Sequence, residues 1–238
     1  MRLGIMQPYF FPYIGYFDLI NRVDHFVIFD TVRYAPKTWM NRNRILHPKE
    51  SWQYISVPVD RHVGSGRLCD VLVCDVQSTK TRIRNQLDHY RRGGAPFFGE
   101  VVSILEKTFY QKEPCKLADL NTTSLVAVCN YLGLLFRHES FNQMNLVLPE
   151  INHPGQWALE IASIVGASEY VNLPSGKGIF YPDEWQQRGI QLEFTKLIDF
   201  PYATGRYYCP ERLSILDVLM WNSPERIKTF LDQQKNRG

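Results

Sequence analysis

The 238-residue sequence lacks the spacings by which proteins usually hold a transition metal. Its six histidines form no HxxxH or HExxH pair, and its five cysteines show no CxxC spacing, whereas such pairs are the common ligand patterns for zinc. An odd number of cysteines also argues against a disulfide framework and favours reduced, mostly buried thiols. We therefore expect no protein-held transition metal.

Long apolar runs and a strong net charge are missing as well. No segment approaches the roughly 18 apolar residues of a membrane span. The first apolar strand runs straight into Gln7-Pro8, which leaves no h-region of the kind found in secretory signals. The net charge of +3 is too small to indicate nucleic acid on its own. We expect a cytoplasmic globular protein with no membrane partner, and we do not expect nucleic acid as a partner.

The apolar pattern of the first quarter of the chain is typical of a parallel α/β sheet. Two short apolar strands, Leu3–Met6 and His25–Phe29, flank a helical pattern at Tyr13–Arg22. Two further strands are predicted at Trp52–Val59 and Cys69–Val73.

Helical spacing then replaces the strand pattern until about residue 135. The predicted helices are Thr79–Arg91, Phe97–Tyr110 and Leu117–Leu132, and strands return at Glu169–Asn172 and Gln191–Phe194. We predict an α/β fold with a mostly parallel sheet flanked by helices. Residues 1–77 and 136–238 would form its core, and residues 78–135 would form a helical insertion or lid.

The first candidate site is the segment from Gln7 to Tyr16, in which a strand end leads through a proline-rich loop into a helix. Free backbone N–H groups at a helix start are a natural phosphate site, and ligands of α/β folds bind at the carboxyl ends of strands. Gly15 would let a ligand approach the backbone. The alternative is that the aromatic residues simply fill the core. The candidate binding residues are Gln7, Pro8, Tyr13, Gly15 and Tyr16.

The second candidate site follows the second strand and combines one acidic residue with several basic and amide side chains. A guanidinium group matches phosphate or carboxylate with two hydrogen bonds, and Lys acts as a point charge. The alternative is an ordinary solvated basic loop. The candidates are Asp30, Lys37, Asn41, Arg42 and Asn43.

The third candidate site is the small-residue loop after the strand Glu169–Asn172, where Ser175, Gly176 and Lys177 could cradle an anion. The loop lacks the GxxxxGK[ST] pattern of a phosphate-binding loop, and a plain turn explains it equally well. Ser214 and Asp217 lie one helical turn apart near the C-terminus. A helix cap and a dipole-favoured acid explain them, and no histidine nearby supports a Ser-His-Asp triad.

On these residues the chain resembles the WbqC-like family. The segments that carry the resemblance are Gln7–Tyr16, Phe29-Asp30, Trp39–Asn43, Tyr170–Asn172, Ser175-Gly176, Gly189-Ile190 and Leu213–Asp217. The resemblance implies a place in bacterial surface polysaccharide (O-antigen, lipopolysaccharide) biosynthesis, and the attachment of glycine or related acyl groups to amino sugars.

A more distant resemblance is to the HxGH nucleotidylyltransferases, which include pantothenate synthetase. Tyr13-Ile14-Gly15-Tyr16 occupies the place of their HxGH signature, and Ser175-Gly176-Lys177 the place of their basic phosphate loop. This resemblance implies ATP and Mg²⁺ as cofactors. Both signature histidines are tyrosines here, and a tyrosine brings no cation.

Under this resemblance other residues would carry the chemistry. Lys37, Arg42 and Lys177 would supply the missing positive charge as catalytic residues. Asp30 would orient Mg²⁺ or accept the proton of the amine. Asn41 and Asn43 would fix the sugar.

The predicted function is therefore amide-forming acyl or aminoacyl transfer to a nucleotide-linked amino sugar, through an acyl-adenylate made from ATP. The substrates would be that sugar and a small carboxylate or acyl donor. The alternatives are a thioester-dependent N-acyltransferase, a nucleic-acid-binding module that uses the basic helix and the aromatic residues, and a non-catalytic partner of a sugar-modifying complex.

Overall fold

The central element of the fold is a sheet of five parallel strands. The computed structural model describes residues 1–60, 66–110, 113–207 and 211–236. The sheet has the order β5-β2-β1-β6-β7. Its strands are β1 (Arg2–Met6), β2 (His25–Ile28), β5 (His138–Ser140), β6 (Glu169–Asn172) and β7 (Gln191–Phe194), and β3 (Arg42–Leu46) and β4 (Trp52–Ser56) form a separate antiparallel pair.

Helices cover both faces of this sheet, which confirms the predicted fold class. They are α1 (Ile14–Arg22), α2 (Val76–Arg92), α3 (Phe98–Thr108), α4 (Leu117–Leu132), α5 (Phe141–Met144), α6 (Gln156–Ile164), α7 (Pro182–Gln187), α8 (Ile215–Trp221) and α9 (Pro224–Lys235). Within the described ranges, every helix falls short of the length and apolar character needed to cross a bilayer.

The side chains of β1 show why the sheet needs cover on both faces. Successive side chains of a strand point to opposite faces. Leu3 and Ile5 belong to the apolar cluster that also holds residues of α6 and α7, whereas Gly4 lies against Phe26 on the face covered by α1. A strand with both faces buried has a continuous apolar sequence, as β1 and β2 do from Leu3 to Met6 and from Phe26 to Ile28.

The position of β1 in the middle of the sheet creates a crevice. β1 pairs with β2 on one side and with β6 on the other, so that Leu3 lies opposite both His25 and Tyr170. The chain therefore leaves β1 in one direction along the sheet and later returns on the other side. Ligands of open α/β sheets bind at such a point, outside the carboxyl ends of the strands.

The second β-rich stretch differs from the prediction. Cys69–Val73 is not a strand: a 3₁₀ helix covers Leu68–Asp70, and Val73 makes only an isolated bridge with Val59. The reason is tertiary, because the backbone N–H of Cys69 donates to the carbonyl of Asp30 at 2.8 Å. The basic segment, for which a solvated loop was the alternative interpretation, ends in β3, which begins at Arg42 and pairs with β4.

Helices α2, α3 and α4 lie between β4 and β5 in the chain, and they pack with the first helix and with the last two. Residues of these helices share one apolar cluster with Phe17 of α1, Leu219 of α8 and Leu231 of α9. The division of the chain at residues 77 and 135 stays a prediction.

Candidate functional site

A large cavity lies at the carboxyl ends of β1, β2 and β6, where the crevice was expected. It has a volume of about 800 Å³ and is referred to below as the apolar lobe. Its side chains are mainly apolar and aromatic, with a few polar groups at the edge. They include Met6, Phe29, Val32, Trp157, Tyr170 and Phe180, together with Gln7, Arg33, Asn152, His153 and Asn172.

A second cavity adjoins the first and has a different chemistry. This basic lobe has a volume of about 590 Å³ and includes Gln7, Tyr9, Arg33, Lys37, Trp39, Arg42 and Tyr54 among its lining residues. Gln7 and Arg33 line both lobes. The two lobes are therefore adjacent, with Lys37 and Arg42 in the basic lobe and Arg33 where the lobes meet, and the two together are called the cleft below.

The cations of the basic lobe are available for an anionic ligand. Within the part of the chain that the structure describes, no carboxylate forms an ion pair with Arg33, Lys37 or Arg42. The guanidinium carbon of Arg42 lies 3.9 Å from the centre of the Tyr54 ring, in a cation–π contact that fixes its position. Trp39 is 41% exposed beside these charges, and the guanidinium carbon of Arg44 lies 5.6 Å from the centre of its ring.

The loop from Gln7 to Tyr13 is called the motif loop. Side-chain amides and a hydroxyl group donate hydrogen bonds to its backbone carbonyls. Asn43 donates from Nδ2 to the carbonyls of Phe10 and Phe11, at 3.1 and 2.9 Å. Asn121 of α4 donates to the carbonyl of Pro8 at 2.9 Å, and the Ser214 hydroxyl donates to that of Phe11 at 2.8 Å. These bonds stabilise a turn in which Phe11 has a φ of +41°, a value that costs energy for a residue with a side chain.

The tyrosines of the predicted HxGH-like segment lie outside both lobes. Tyr16 is fully buried and donates its hydroxyl to the carbonyl of Gln7 at 2.9 Å, and burial raises the pKa of this phenol well above its ordinary value. Tyr13 lines a separate cavity of about 200 Å³ together with Arg212.

Gly15 leaves room for the Tyr13 ring, a role that the sequence did not predict. A Cβ atom at Gly15 would come within 2.4 Å of the Tyr13 ring, so the space beside its backbone is filled by Tyr13 and not by a ligand. The helix start at α1 therefore offers no phosphate site within the cleft, because its residues face the core or the smaller cavity.

The side-chain amides of the two asparagines expected to fix a sugar donate hydrogen bonds to backbone carbonyls of the protein. Asn43 is buried and holds the motif loop. Asn41 donates from Nδ2 to the carbonyl of Val57 at 3.2 Å, and it does not line either lobe.

Asp30 also lies outside the cleft. Its two carboxylate oxygens accept hydrogen bonds from the Ser140 hydroxyl and from the backbone N–H of Asn142, the latter at 2.9 Å. It lines a third cavity of about 420 Å³ with Asp119, whose pKa is raised, mainly by burial and also by the charge of Asp30. Asp30 thus joins the end of β2 to the start of α5.

The position of Asp30 bears on Mg²⁺ and ATP. Magnesium prefers oxygen ligands and is usually bound through one or two carboxylates. The described residues that line the basic lobe include no carboxylate, so they do not fit a Mg²⁺–phosphate group there. The described ranges also contain no group of three or more His, Cys, Asp or Glu side chains placed to hold a metal ion.

The third predicted site lies next to the apolar lobe without lining it. Ser175, Gly176 and Lys177 belong to a 3₁₀ helix at Pro174–Ile179, and the Lys177 side chain is exposed. Ile179, at the end of this short helix, does line the apolar lobe.

Three residues that the sequence did not single out have prominent places in the cleft. Arg33 lies between the lobes, and Trp157 and His153 line the apolar lobe. The only sequence signal for His153 is its place in an Asn-His-Pro-Gly loop before a helix, which is a weak pattern because such loops are common at helix starts.

Comparisons with known proteins confirm the family resemblance carried by the sequence segments named above. The model of the WbqC-like protein family matches residues 7–229. The chain is also similar to the protein named Uncharacterized protein Rv1507c from Mycobacterium tuberculosis, with 30% identity over 224 residues, which cover 92% of each chain. No solved structure matches the chain. The segments that resemble the family include the motif loop, the Asn43 strand and the Ser214 segment, which contact one another in the fold. The chain belongs to the WbqC-like protein family.

Proposed function

We propose that this protein transfers an acyl or aminoacyl group to the amine of a nucleotide-linked amino sugar. Membership of the WbqC-like family suggests a role in polysaccharide-related biosynthesis. The observation that carries the proposal is the two-lobed cleft, in which three cations without an ion pair among the described residues lie beside an aromatic cavity, with Gln7 and Arg33 shared by both lobes.

The basic lobe supports the binding of a diphosphate linked to a nucleoside. Arg33, Lys37 and Arg42 offer several N–H donors, and hydrogen bonds between ionised groups are about twice as strong as neutral ones. The exposed ring of Trp39 gives the nucleobase a surface on which to stack. In this arrangement the diphosphate lies near Arg33, and the sugar extends past it into the apolar lobe.

The apolar lobe supports the binding of the amino sugar and of the acyl donor. Its volume of about 800 Å³ is sufficient for both. Holding the two reactants together lowers the barrier to amide formation by as much as about 7–11 kcal/mol when their geometry is favourable.

Two donors remain as proposals for the acyl group. An acyl thioester already carries a good leaving group, and it needs no metal. An acyl-adenylate formed from ATP requires the triphosphate and Mg²⁺, for which the lining of the basic lobe does not supply carboxylates. We therefore derive no step through ATP, and we favour the thioester donor.

The binding part of the proposal is tested by titrating the purified protein with a dTDP-linked amino sugar in a calorimeter. We expect Lys37→Ala and Arg42→Ala each to weaken binding about 10- to 100-fold, because each removes a charge-assisted hydrogen bond. Lys177→Ala is the matched control, since Lys177 is an exposed lysine beside the cleft that does not line it. Equal losses in all three variants would contradict the assignment of the basic lobe.

The reaction is tested by incubating the wild-type protein with the same sugar and either an acyl-CoA or glycine and ATP. Mass spectrometry then detects the amide product, AMP and pyrophosphate. Product from acyl-CoA alone supports the thioester route, and product that requires ATP and releases AMP supports the adenylate route. If no nucleotide sugar binds and the protein binds oligonucleotides with a steep salt dependence, the nucleic-acid-binding alternative replaces this proposal.

A further inference from the structure

His153 and Glu184 form a hydrogen-bonded pair at the edge of the apolar lobe. The Nε2 atom of His153 lies 3.0 and 3.2 Å from the two carboxylate oxygens of Glu184. His153 precedes α6, whereas Glu184 lies in the first turn of α7, so the pair joins two elements on the same face of the sheet. The His153 side chain is 17% exposed and lines the cavity.

The second nitrogen of this imidazole has no protein partner. Nδ1 of His153 is buried and accepts no hydrogen bond from any described residue. An unpaired buried polar atom destabilises the folded state, so its presence in a folded protein calls for an explanation. Nδ1 belongs to a residue that lines a cavity, so a bound ligand is one explanation.

The hydrogen bond to Glu184 determines which nitrogen of the neutral ring can act as a base. A carboxylate can only accept, so Nε2 carries the hydrogen and Nδ1 keeps its lone pair. This is the arrangement by which an acidic residue orients a catalytic histidine, here with the two nitrogens exchanged.

Two contacts fix the loop that carries His153. The Tyr181 ring packs against the imidazole with 4.6 Å between the ring centres. The backbone of Gly155 also lies so close to the 3₁₀ helix at Pro174–Ile179 that a Cβ atom at Gly155 would come within 2.1 Å of the Ile179 carbonyl oxygen. The ring is therefore held between α7 and the apolar lobe.

We propose that His153 is the general base that takes the proton from the amine of the acceptor sugar, and that Glu184 is the residue that positions it. This inference rests on the proposed function. Nδ1 is shielded from bulk water in the free protein, so the proposal includes a movement of the half-exposed Tyr181 ring away from the imidazole when the substrate binds, while the Gly155 contact keeps the loop in place.

The chemical step is balanced as follows. The nitrogen lone pair of the amine attacks the carbonyl carbon of the acyl thioester, which forms the N–C bond. The proton that the nitrogen loses goes to Nδ1 of His153. The C–S bond then breaks, and the thiolate leaves with the electron pair and receives that proton as a thiol.

The experiment compares His153→Ala with the wild-type protein in the acyl transfer assay and in the calorimeter. General base catalysis contributes about 10²- to 10⁴-fold, so we expect a loss of kcat in this range. The dissociation constant for the nucleotide sugar should stay within about threefold, because the diphosphate lies in the other lobe. Added imidazole should restore part of the lost rate by entering the space left by the side chain. A kcat within fivefold of the wild-type value would overturn the proposal.

His138→Ala is the matched control, because His138 is a half-buried histidine that lines a different cavity at the same edge of the sheet. This variant should keep the wild-type kcat. Glu184→Gln should lower kcat by a smaller factor than His153→Ala and should not respond to imidazole. If His138→Ala loses as much rate as His153→Ala, or if imidazole restores none of the rate lost in His153→Ala, the assignment of His153 is wrong.

A measurement without turnover separates this inference from the proposed function. In nitrogen NMR spectra we expect Nδ1 of His153 to be the unprotonated nitrogen and its resonance to move when the nucleotide amino sugar binds. Binding without such a change would overturn the role of His153 alone. A wild-type protein that neither binds the sugar nor forms the amide would overturn the proposed function, and this inference with it.

Discussion

At the scale of single residues, Asp217 is a residue of a family-like segment whose hydrogen bonds lie in the core and not in the cleft. Its side chain is completely buried and accepts hydrogen bonds from the hydroxyls of Tyr90 and Tyr202. Burial raises the pKa of this carboxyl from 3.8 to about 6, while the two phenol donors act in the opposite direction. Asp217 thus connects α2, α8 and the segment before α8, and its ionisation works against folding.

The raised pKa of Asp217 gives a prediction about stability and pH. Between pH 3.8 and about 6 the folded protein keeps the proton that the unfolded chain has released, so the free energy of unfolding falls as the pH rises. The loss reaches about 3 kcal/mol above pH 6, since one pKa unit corresponds to about 1.4 kcal/mol.

The variant Asp217→Asn cannot titrate and should lack this loss. We expect its melting temperature, measured relative to the wild-type protein, to rise from pH 4 to about pH 6 and then to level off. The difference cancels the titration of all other groups and any constant effect of the changed hydrogen bonds. A difference that does not change with pH would contradict the role assigned to this carboxyl.

At the scale of elements, α4 stabilises the motif loop through the side chain of Asn121. Asn121 donates from the same Nδ2 atom to the carbonyls of Pro8 and Met40, at 2.9 and 2.7 Å. It therefore joins the loop that follows β1 to the segment that carries Lys37 and Trp39. The basic lobe lies in front of this junction, so its shape depends on a helix that contributes no side chain to its lining.

Replacing Asn121 should consequently lower the stability of the fold and weaken ligand binding in the basic lobe. In Asn121→Ala two carbonyl groups lose a donor in a buried setting, and we expect the free energy of unfolding in urea to fall by about 2–3 kcal/mol. Asn130→Ala is the control, because Asn130 lies on the exposed side of the same helix. We expect that variant to unfold within about 0.5 kcal/mol of the wild-type protein. Because Ala has a higher helix propensity than Asn, a similar loss in both variants would contradict the role assigned to the buried bonds of Asn121.

The sequence predicted the regular elements well because their patterns are local. The helix at Leu117–Leu132 and the strand at Glu169–Asn172 have the predicted bounds, since apolar periodicity and the terminal Gly133 depend on neighbours along the chain. The strand predicted at Cys69–Val73 is wrong because its backbone bonds go to Asp30 and to the segment before α4. Sequence periodicity carries no information about such distant partners.

The candidate site could be predicted only in part, for the same reason. Gln7, Lys37 and Arg42 do line the basic lobe. Gln7 follows β1 of the parallel sheet, where a ligand site was expected, whereas Arg42 begins β3 of the separate antiparallel pair. Tyr16 and Asn43 have the polar groups of binding residues, but these groups bond to backbone carbonyls of the motif loop. A signature motif therefore includes residues that build a loop as well as residues that face a ligand, and the sequence alone does not separate them.

At the scale of the whole molecule, the open question is whether the helices α2 to α4 form a lid or part of the core. Their buried side chains share one apolar cluster with α1, α8 and α9, and Asn121 ties them to the motif loop. A lid opens at a lower free energy than the whole protein, whereas elements of one core exchange their amide hydrogens only when the protein unfolds globally. The packing favours the second behaviour.

Native-state hydrogen exchange at increasing urea concentrations measures this difference. We expect the buried turns of α4, around Leu125, to exchange with the same free energy and the same urea dependence as β1, around Leu3. The two probes belong to the apolar clusters on opposite faces of the sheet, so agreement would show that both faces unfold as one unit. Exchange of α4 at a free energy several kcal/mol below that of β1 would instead identify residues 78–135 as a separate unit. In that case the hydrogen bond from Asn121 to the Pro8 carbonyl would break whenever the unit opened. Because a nucleotide sugar bound to the basic lobe would favour the closed state, it should slow the exchange of α4 more than that of β1.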